Sequence, residues 1–329
     1  NILHREDICK KCKRNNENNM KTFFRIFDNN LYGIQRDTIG FSVKNPMYIP
    51  DEYLNAQKFM VMRTCHGIGD WVLLSGMPRL LKEKYPNCKV YIPSSIMLKK
   101  VYGDMLNNWG YGTFDSSKIA EIVFESNPYV DDFVDEIDGE IFHDHYKIFD
   151  ESNDKVPLLK QMLMFWQFKD NEMLDTTPDF YPNEEEKEWI KRFTQRWEVD
   201  KYSYISVSST FGNTSDSDVL VEQIKRKNSE DMKWMYYGEV PLDKSPLNFL
   251  DAIEIKNLGL SIREQQYLKV NAKYNFGNET GMNLWTPKYS ETYVLGNKYY
   301  GPLHGGSKEG TLRKRPFKSG NFVNEVNYL

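Results

Sequence analysis

Apolar residues along this chain fall into two rhythms, short unbroken runs and longer stretches spaced three or four apart, which is how strands interleaved with helices are written. Phe59-Met60-Val61-Met62 is the first clear run, and a turn with two glycines separates it from helical spacing that continues from Asp70 to Tyr85. Lys89 to Pro93 makes a second run, and strand, helix and strand in this length predict a βαβ unit with parallel strands. Met97 to Trp109 reads as the next helix, Ile122-Val123-Phe124 and Phe133-Val134 as further strands. Val156 to Phe168, interrupted by Lys160 and Gln161, reads as a buried helix.

The same alternation then begins again. Thr176-Thr177-Pro178-Asp179-Phe180-Tyr181-Pro182 has the form of a linker, and Glu184, Glu185 and Glu186 supply the carboxylates that suit the first turn of a helix. Trp189, Ile190, Phe193 and Trp197 fall on one face of it. Strands follow at Tyr204 to Val207, Lys233 to Tyr237, Ile253 to Ile255 and Tyr293 to Leu295, with helices from Val219 to Arg226 and after Ser261, where Ser261 and Glu264 form a capping box. Two such arrays predict an α/β chain of two Rossmann-like domains facing across a cleft. The expected division is an extension at 1–57, an N-terminal domain at 58–177, a C-terminal domain at 178–300 and a tail at 301–329.

Composition narrows the function classes. With 329 residues, 40% apolar and 14% aromatic, the chain has material for two cores, and a formal charge of −4 exerts no overall pull on nucleic acid or anionic membrane. No apolar run approaches the roughly 18 residues of a membrane span. Four cysteines make no disulfide framework, so a reducing cytoplasm is the expected compartment. Cys9 and Cys12 have half the spacing of a zinc site, with His4 nearby, but no second pair follows. His143-Asp144-His145 reads as a polar loop or strand end rather than a metal site, because in an extended segment alternate residues share a face while the middle one points away, and no third ligand stands close by.

Candidate chemistry sits in the turns that follow strands. Gly67 and Gly69 let a ligand approach backbone N–H groups, while Asp70 at the mouth of the helix either caps free amides or serves as a general base. The turn has neither the G-x-G-x-x-G of a dinucleotide site nor the Lys-Ser/Thr ending of a P-loop. Ser208, Ser209 and Thr210 follow the first strand of the second array. Gly238 and Glu239 follow the next one, and Gly277-Asn278-Glu279-Thr280-Gly281-Met282 comes after the helix that begins beyond Ser261.

Arg63-Thr64-Cys65-His66-Gly67-Ile68-Gly69-Asp70 with Leu81-Lys82-Glu83-Lys84-Tyr85-Pro86, the turn Asn127-Pro128-Tyr129-Val130-Asp131, the stretch Ile255 to Ser261 and Gly277 to Met282 occur in one order. This set resembles the heptosyltransferase-like glycosyltransferases of family nine, over roughly residues 58 to 302. The resemblance implies a GT-B fold and transfer of a sugar from a nucleotide-diphosphate donor to a hydroxyl acceptor, a glycan before a nucleic acid, with inversion and without a metal or other cofactor. It implies Asp70 as the base, His66, Gly67 and Gly69 as the acceptor-side loop, and a donor site of Ser208, Ser209, Thr210, Gly238, Glu239, Leu260, Asn278, Glu279, Thr280, Gly281 and Met282.

Three positions depart from the family pattern. Glu279 stands where the family has aspartate, Leu284 where it has histidine, and no basic residue occurs among Phe211 to Asp218. These departures motivate an alternative, a catalytically lapsed GT-B domain acting as a binding or structural module. Asp216-Ser217-Asp218 reads as a helix cap rather than a metal-binding D-x-D. The basic run from Lys298 to Lys318 reads as a solvated face, or as a source of cations for a diphosphate or a nucleic-acid acceptor.

Overall fold

The computed structural model describes Asn55 and residues 58–61, 68–102, 115–136, 142–143, 168, 175, 177–209, 212–213, 218–229, 231–278, 281–295 and 326–328. These fall into two compact units, with Phe168 the last described residue of the first and Asp175 the first of the second.

In the first unit β1 (Lys58–Met60), β2 (Lys89–Pro93), β3 (Asp132–Val134) and β4 (Phe142–His143) form a parallel sheet in the order β3-β2-β1-β4. The crossover after β1 is two helices, α1 (Ile68–Leu73) and α2 (Met77–Lys84), where the sequence predicts one. Pro78 explains the break. It lies in the first turn of α2, where a missing N–H costs nothing, whereas in a continuous helix its ring would collide with the carbonyl of Leu74. The helical faces bury Trp71, Leu74, Leu80, Leu81 and Tyr85 with Phe59, Val90 and Ile92 of the sheet, and Tyr85 stacks on Phe59 at 5.7 Å between ring centroids.

α3 (Ser95–Tyr102) begins the helix expected from Met97. Ile122-Val123-Phe124, expected as a strand, belongs instead to α4 (Ile119–Phe124). A short apolar run carries no period of its own. Here Ile119, Ala120, Val123 and Phe124 are buried at helical spacing, and Glu121 turns outward to accept the N–H of Ser95 at 2.7 Å. Of the stretch from Val156 to Phe168 only Phe168 is described; it is buried, edge-on to Tyr85 at 6.4 Å.

The second unit opens with α5 (Glu184–Arg196), followed by β5 (Tyr202–Ser206), a hairpin of β6 (Ser208–Ser209) and β7 (Gly212–Asn213), α6 (Asp218–Lys227), β8 (Lys233–Tyr237) and β9 (Ala252–Glu254). α7 (Ile262–Asn271), β10 (Tyr274–Asn278), a 3₁₀ helix at Gly281–Lys288, β11 (Glu291–Leu295) and β12 (Val326–Tyr328) complete it. Six strands form one sheet in the order β12-β11-β10-β5-β8-β9, and every pairing in it is parallel. Counted along the chain this is 3-2-1-4-5-6, the doubly wound nucleotide-binding order.

All five residues of β5 are buried, as befits a central parallel strand covered on both faces. Tyr202 and Tyr204 share one face with Met235, Leu268 and Phe193, while Ile205 shares the other with Leu220, Ile224, Trp234 and Phe276. The segment read as a linker is part of this core. Thr177, Asp179 and Phe180 are buried, the indole N–H of Trp285 donates to the Asp179 carbonyl at 2.8 Å, and Phe180 N–H donates to the Tyr289 hydroxyl at 2.8 Å.

A buried ion pair joins the helices on the α5 side. The guanidinium of Arg263 holds Glu186 through Nε to Oε1 at 2.5 Å and Nη2 to Oε2 at 2.9 Å, and donates to the Tyr181 carbonyl at 2.8 Å. Glu186 also closes a capping box with Asn183 at the start of α5. The expected box of Ser261 and Glu264 caps α7.

Candidate donor site at the strand ends of the second unit

Where strand order reverses in a doubly wound sheet, the two neighbouring crossovers leave in opposite directions and open a crevice at the carboxyl ends of the strands. In the second unit that reversal lies between β5 and β10, whose register pairs Phe276 with Ile205 and Gly277 with Ser206. Ser208 and Ser209, in β6, leave β5 at this end. They pair with Asn213 and Gly212, and β6 lies beside β10. Asn278 is the last residue of β10, and Gly281 and Met282 open the 3₁₀ helix, both half-buried. The fold thus gathers Ser208, Ser209, Asn278, Gly281 and Met282 at one switch point. Thr210, Glu279 and Thr280 lie outside the described residues.

Gly277 is needed for this approach. A Cβ there would stand 2.5 Å from the Ser206 carbonyl oxygen and 2.7 Å from Nδ2 of Asn283, closer than real Cβ atoms come. Glycine lets β5, β10 and the 3₁₀ helix close on one another.

Of the other expected donor residues, Gly238 and Glu239 follow β8, and Leu260 precedes α7. Gly238 is buried at the end of β8 beneath the Tyr236 ring, whose hydroxyl donates to the Val240 carbonyl at 2.7 Å. Glu239 is exposed and paired with Lys256. Leu260, half-buried against the tyrosine face of the core, accepts the Gln265 side-chain amide at 3.0 Å and leads into the cap of α7. Its geometry is that of a helix entry.

Sequence reasoning missed the polar group beneath the site. Lys269 of α7 is 2% exposed; its amine donates to Oδ1 of Asn283 at 2.7 Å and lies 5.0 Å from the centre of the Tyr204 ring. Among the described residues it pairs with no carboxylate, and burial alone pulls its pKa down from 10.5 to about 7. Among the described residues the Tyr204 hydroxyl and the Gln266 amide, also buried, have no hydrogen-bond partner, and burial drives the Tyr204 hydroxyl well above its ordinary pKa. The available signal was a lysine three residues from Gln266 and six from Arg263, all on the buried side of α7.

In the first unit Gly69 and Asp70 are the second and third residues of α1. His66 and Gly67 lie outside the described residues, as do Cys9, Cys12, Asp144, His145, Asp216 and the basic run from Lys298 to Lys318. Among the described residues no three His, Cys, Asp or Glu side chains cluster as a metal site would require. No helix described here is long and apolar enough to cross a membrane.

The Asn127 to Asp131 turn is a structural staple. Asn127 donates to the Ser75 carbonyl at 3.2 Å and accepts from Tyr129 N–H at 3.0 Å, closing an Asx turn. Asp131 accepts Val90 N–H at 2.8 Å and pairs with Lys82 at 2.6 Å and Lys89 at 2.9 Å. Burial pushes its carboxyl pKa up, but Lys82, the Val90 amide and Lys89 together hold it below the ordinary value.

No family profile matches the chain, and no curated protein sequence is significantly similar to it. Among solved structures, a glycosyl transferase of family 9 from Veillonella parvula DSM 2008 superposes with a TM-score of 0.53 at 10% identity, covering 83% of this chain and 85% of that one. The E. coli ADP-heptose lipopolysaccharide heptosyltransferase II gives 0.44 at 9% identity, covering 82% and 92%. At such identity the shared feature is the path of the backbone. This chain has the GT-B fold, the fold of the Veillonella family 9 glycosyl transferase.

Proposed function

We propose that this protein is a glycosyltransferase that moves a sugar from a nucleoside diphosphate sugar to a hydroxyl acceptor, with inversion at the anomeric carbon. One observation carries the reading: the switch point of a 3-2-1-4-5-6 sheet coincides with described turn residues that the sequence singles out for a donor, Ser208, Ser209, Asn278, Gly281 and Met282, beside Gly277. Backbone amides and hydroxyls at such a turn suit a diphosphate, and the GT-B fold supports the assignment.

In the proposed reaction Asp70 takes the proton of the acceptor hydroxyl as its oxygen attacks the anomeric carbon. The bond from that carbon to the diphosphate oxygen breaks, and the nucleoside diphosphate leaves with the electron pair. The acceptor is a glycan hydroxyl. The donor is the only small molecule the scheme requires, and full activity after dialysis against a chelator is the expected result.

The test is Asp70→Asn. Sugar transfer should fall roughly 10²- to 10⁴-fold, the usual worth of a general base, while nucleotide affinity stays near wild type. A fully active variant removes Asp70 from that role. Calorimetric titration with a panel of nucleotides and nucleotide sugars checks the donor half. Absence of binding to every member would favour the lapsed module that Glu279 and Leu284 motivate.

A further inference from the structure

The amine of Lys269 is spent inside the fold, and what it holds is informative. Its acceptor, Asn283, is buried in the first turn of the Gly281–Lys288 helix. The Asn283 amide nitrogen lies against Gly277, and the Asn283 carbonyl accepts the Thr286 hydroxyl at 2.8 Å, so this residue ties the helix to itself and to β10. The backbone of Lys269 is engaged from the same direction, because its carbonyl accepts the Asn275 side-chain amide at 2.8 Å. One residue of α7 therefore grips both β10 and the helix that follows it.

We propose that Lys269 is a positioning residue for the candidate donor site: through Asn283 it sets where the start of the Gly281–Lys288 helix rests on the carboxyl ends of β5 and β10, and with that the affinity for a nucleotide diphosphate. The link to nucleotide rests on the glycosyltransferase reading above; the hold on the helix does not.

A buried lysine is a costly way to fill this space, since an apolar side chain of the same length would pack without desolvating an amine. Among the described residues the groups facing it are the Tyr204 ring from β5, Asn283 from the 3₁₀ helix, and Asn275 of β10 at its backbone carbonyl. None of these is a carboxylate. A lysine held this way keeps its hydrogen bond in either protonation state, but as pH falls through neutrality it must carry its charge in the same place. The position of the helix, and binding beside it, then acquires a pH dependence that an apolar residue would lack.

The experiment compares wild type, Lys269→Met and Asn283→Leu by amide hydrogen exchange with mass spectrometry, and by calorimetric titration with nucleoside diphosphates from pH 6 to pH 9. Lys269→Met should accelerate exchange in peptides covering 281–288 at least tenfold while β5 and β8 keep their protection. It should also weaken nucleotide binding roughly ten- to a hundredfold and flatten its pH profile near neutrality. Asn283→Leu should reproduce the exchange and affinity changes.

Unchanged exchange in 281–288 for both variants overturns the proposal, whether or not the protein binds nucleotide. Accelerated exchange with unaltered affinity in a wild type that binds overturns the link to the donor site. Accelerated exchange in a protein with no nucleotide affinity removes the glycosyltransferase reading and leaves the grip of Lys269 on the helix standing. Should Lys269→Met fail to fold, Asn283→Leu decides by the same measurements.

Discussion

Two residues show how local physics bears on the candidate site. Gly277 has no room for a methyl group between the Ser206 carbonyl and the Asn283 amide, so Gly277→Ala must push β10 from β5 or displace the 3₁₀ helix. An overpacked core position costs about 1–3 kcal/mol, and thermal unfolding of the variant should report a loss in that range. Lys269 acts through protons. Its folded pKa of about 7 lies below its ordinary 10.5, so between these values the unfolded chain binds the extra proton and stability rises with pH; below pH 7 both states are charged and the whole penalty remains. Denaturant titrations should therefore show the wild type gaining on Lys269→Met between pH 7 and pH 10. For Asp131 stability also rises with pH, but in the acid range and as a gain from its partners rather than relief of a penalty. Its depressed pKa contributes stability above about pH 4 that disappears as the pH falls further, so Asp131→Asn should cost about 1 kcal/mol at pH 7, after screening by solvent, and less at pH 3. The glycine was legible as a turn residue in the sequence. The lysine was not, because a charged residue in a helix reads as solvated until the neighbours that bury it are known.

At the scale of elements, pattern reading worked where a segment carried its own period and failed where context chose. α7 came with both halves of its capping box, and β5, β8 and β11 came as apolar runs. Ile122-Val123-Phe124 had too few residues to choose between strand and helix, and packing of α4 chose. The helix after Asp70 was correct in its apolar face and wrong in its continuity, although Pro78 was visible throughout. β12 and the 3₁₀ helix had no signal long enough to read. The pairing of Arg263 with Glu186 is also tertiary, since 77 positions separate the two. Removing one partner of a buried ion pair leaves the other charged in a dry site, so Glu186→Gln should destabilise the second unit by about 3–5 kcal/mol, measured by chemical denaturation. Changing both residues to apolar ones of similar size should recover much of that loss.

For the whole molecule, two parallel sheets and a 3-2-1-4-5-6 order make the donor-binding reading specific enough to fail. If nucleotide sugars bind the folded protein, saturating ligand at about 100 times Kd adds about 2.7 kcal/mol and should raise the melting temperature by a few degrees; a screen with no shift for any nucleotide would count against it. The α/β class, the two arrays and the candidate turns follow from the chain alone, because periodicity, glycine and cap residues act over a few positions and need no partner. Strand order, the burial of the segment from Thr177 to Phe180 and the grip of Lys269 on Asn283 arose only with folding. Each depends on surfaces brought together from distant parts of the chain, and whether a polar group is solvated or dry is a property of those surfaces rather than of its neighbours in sequence.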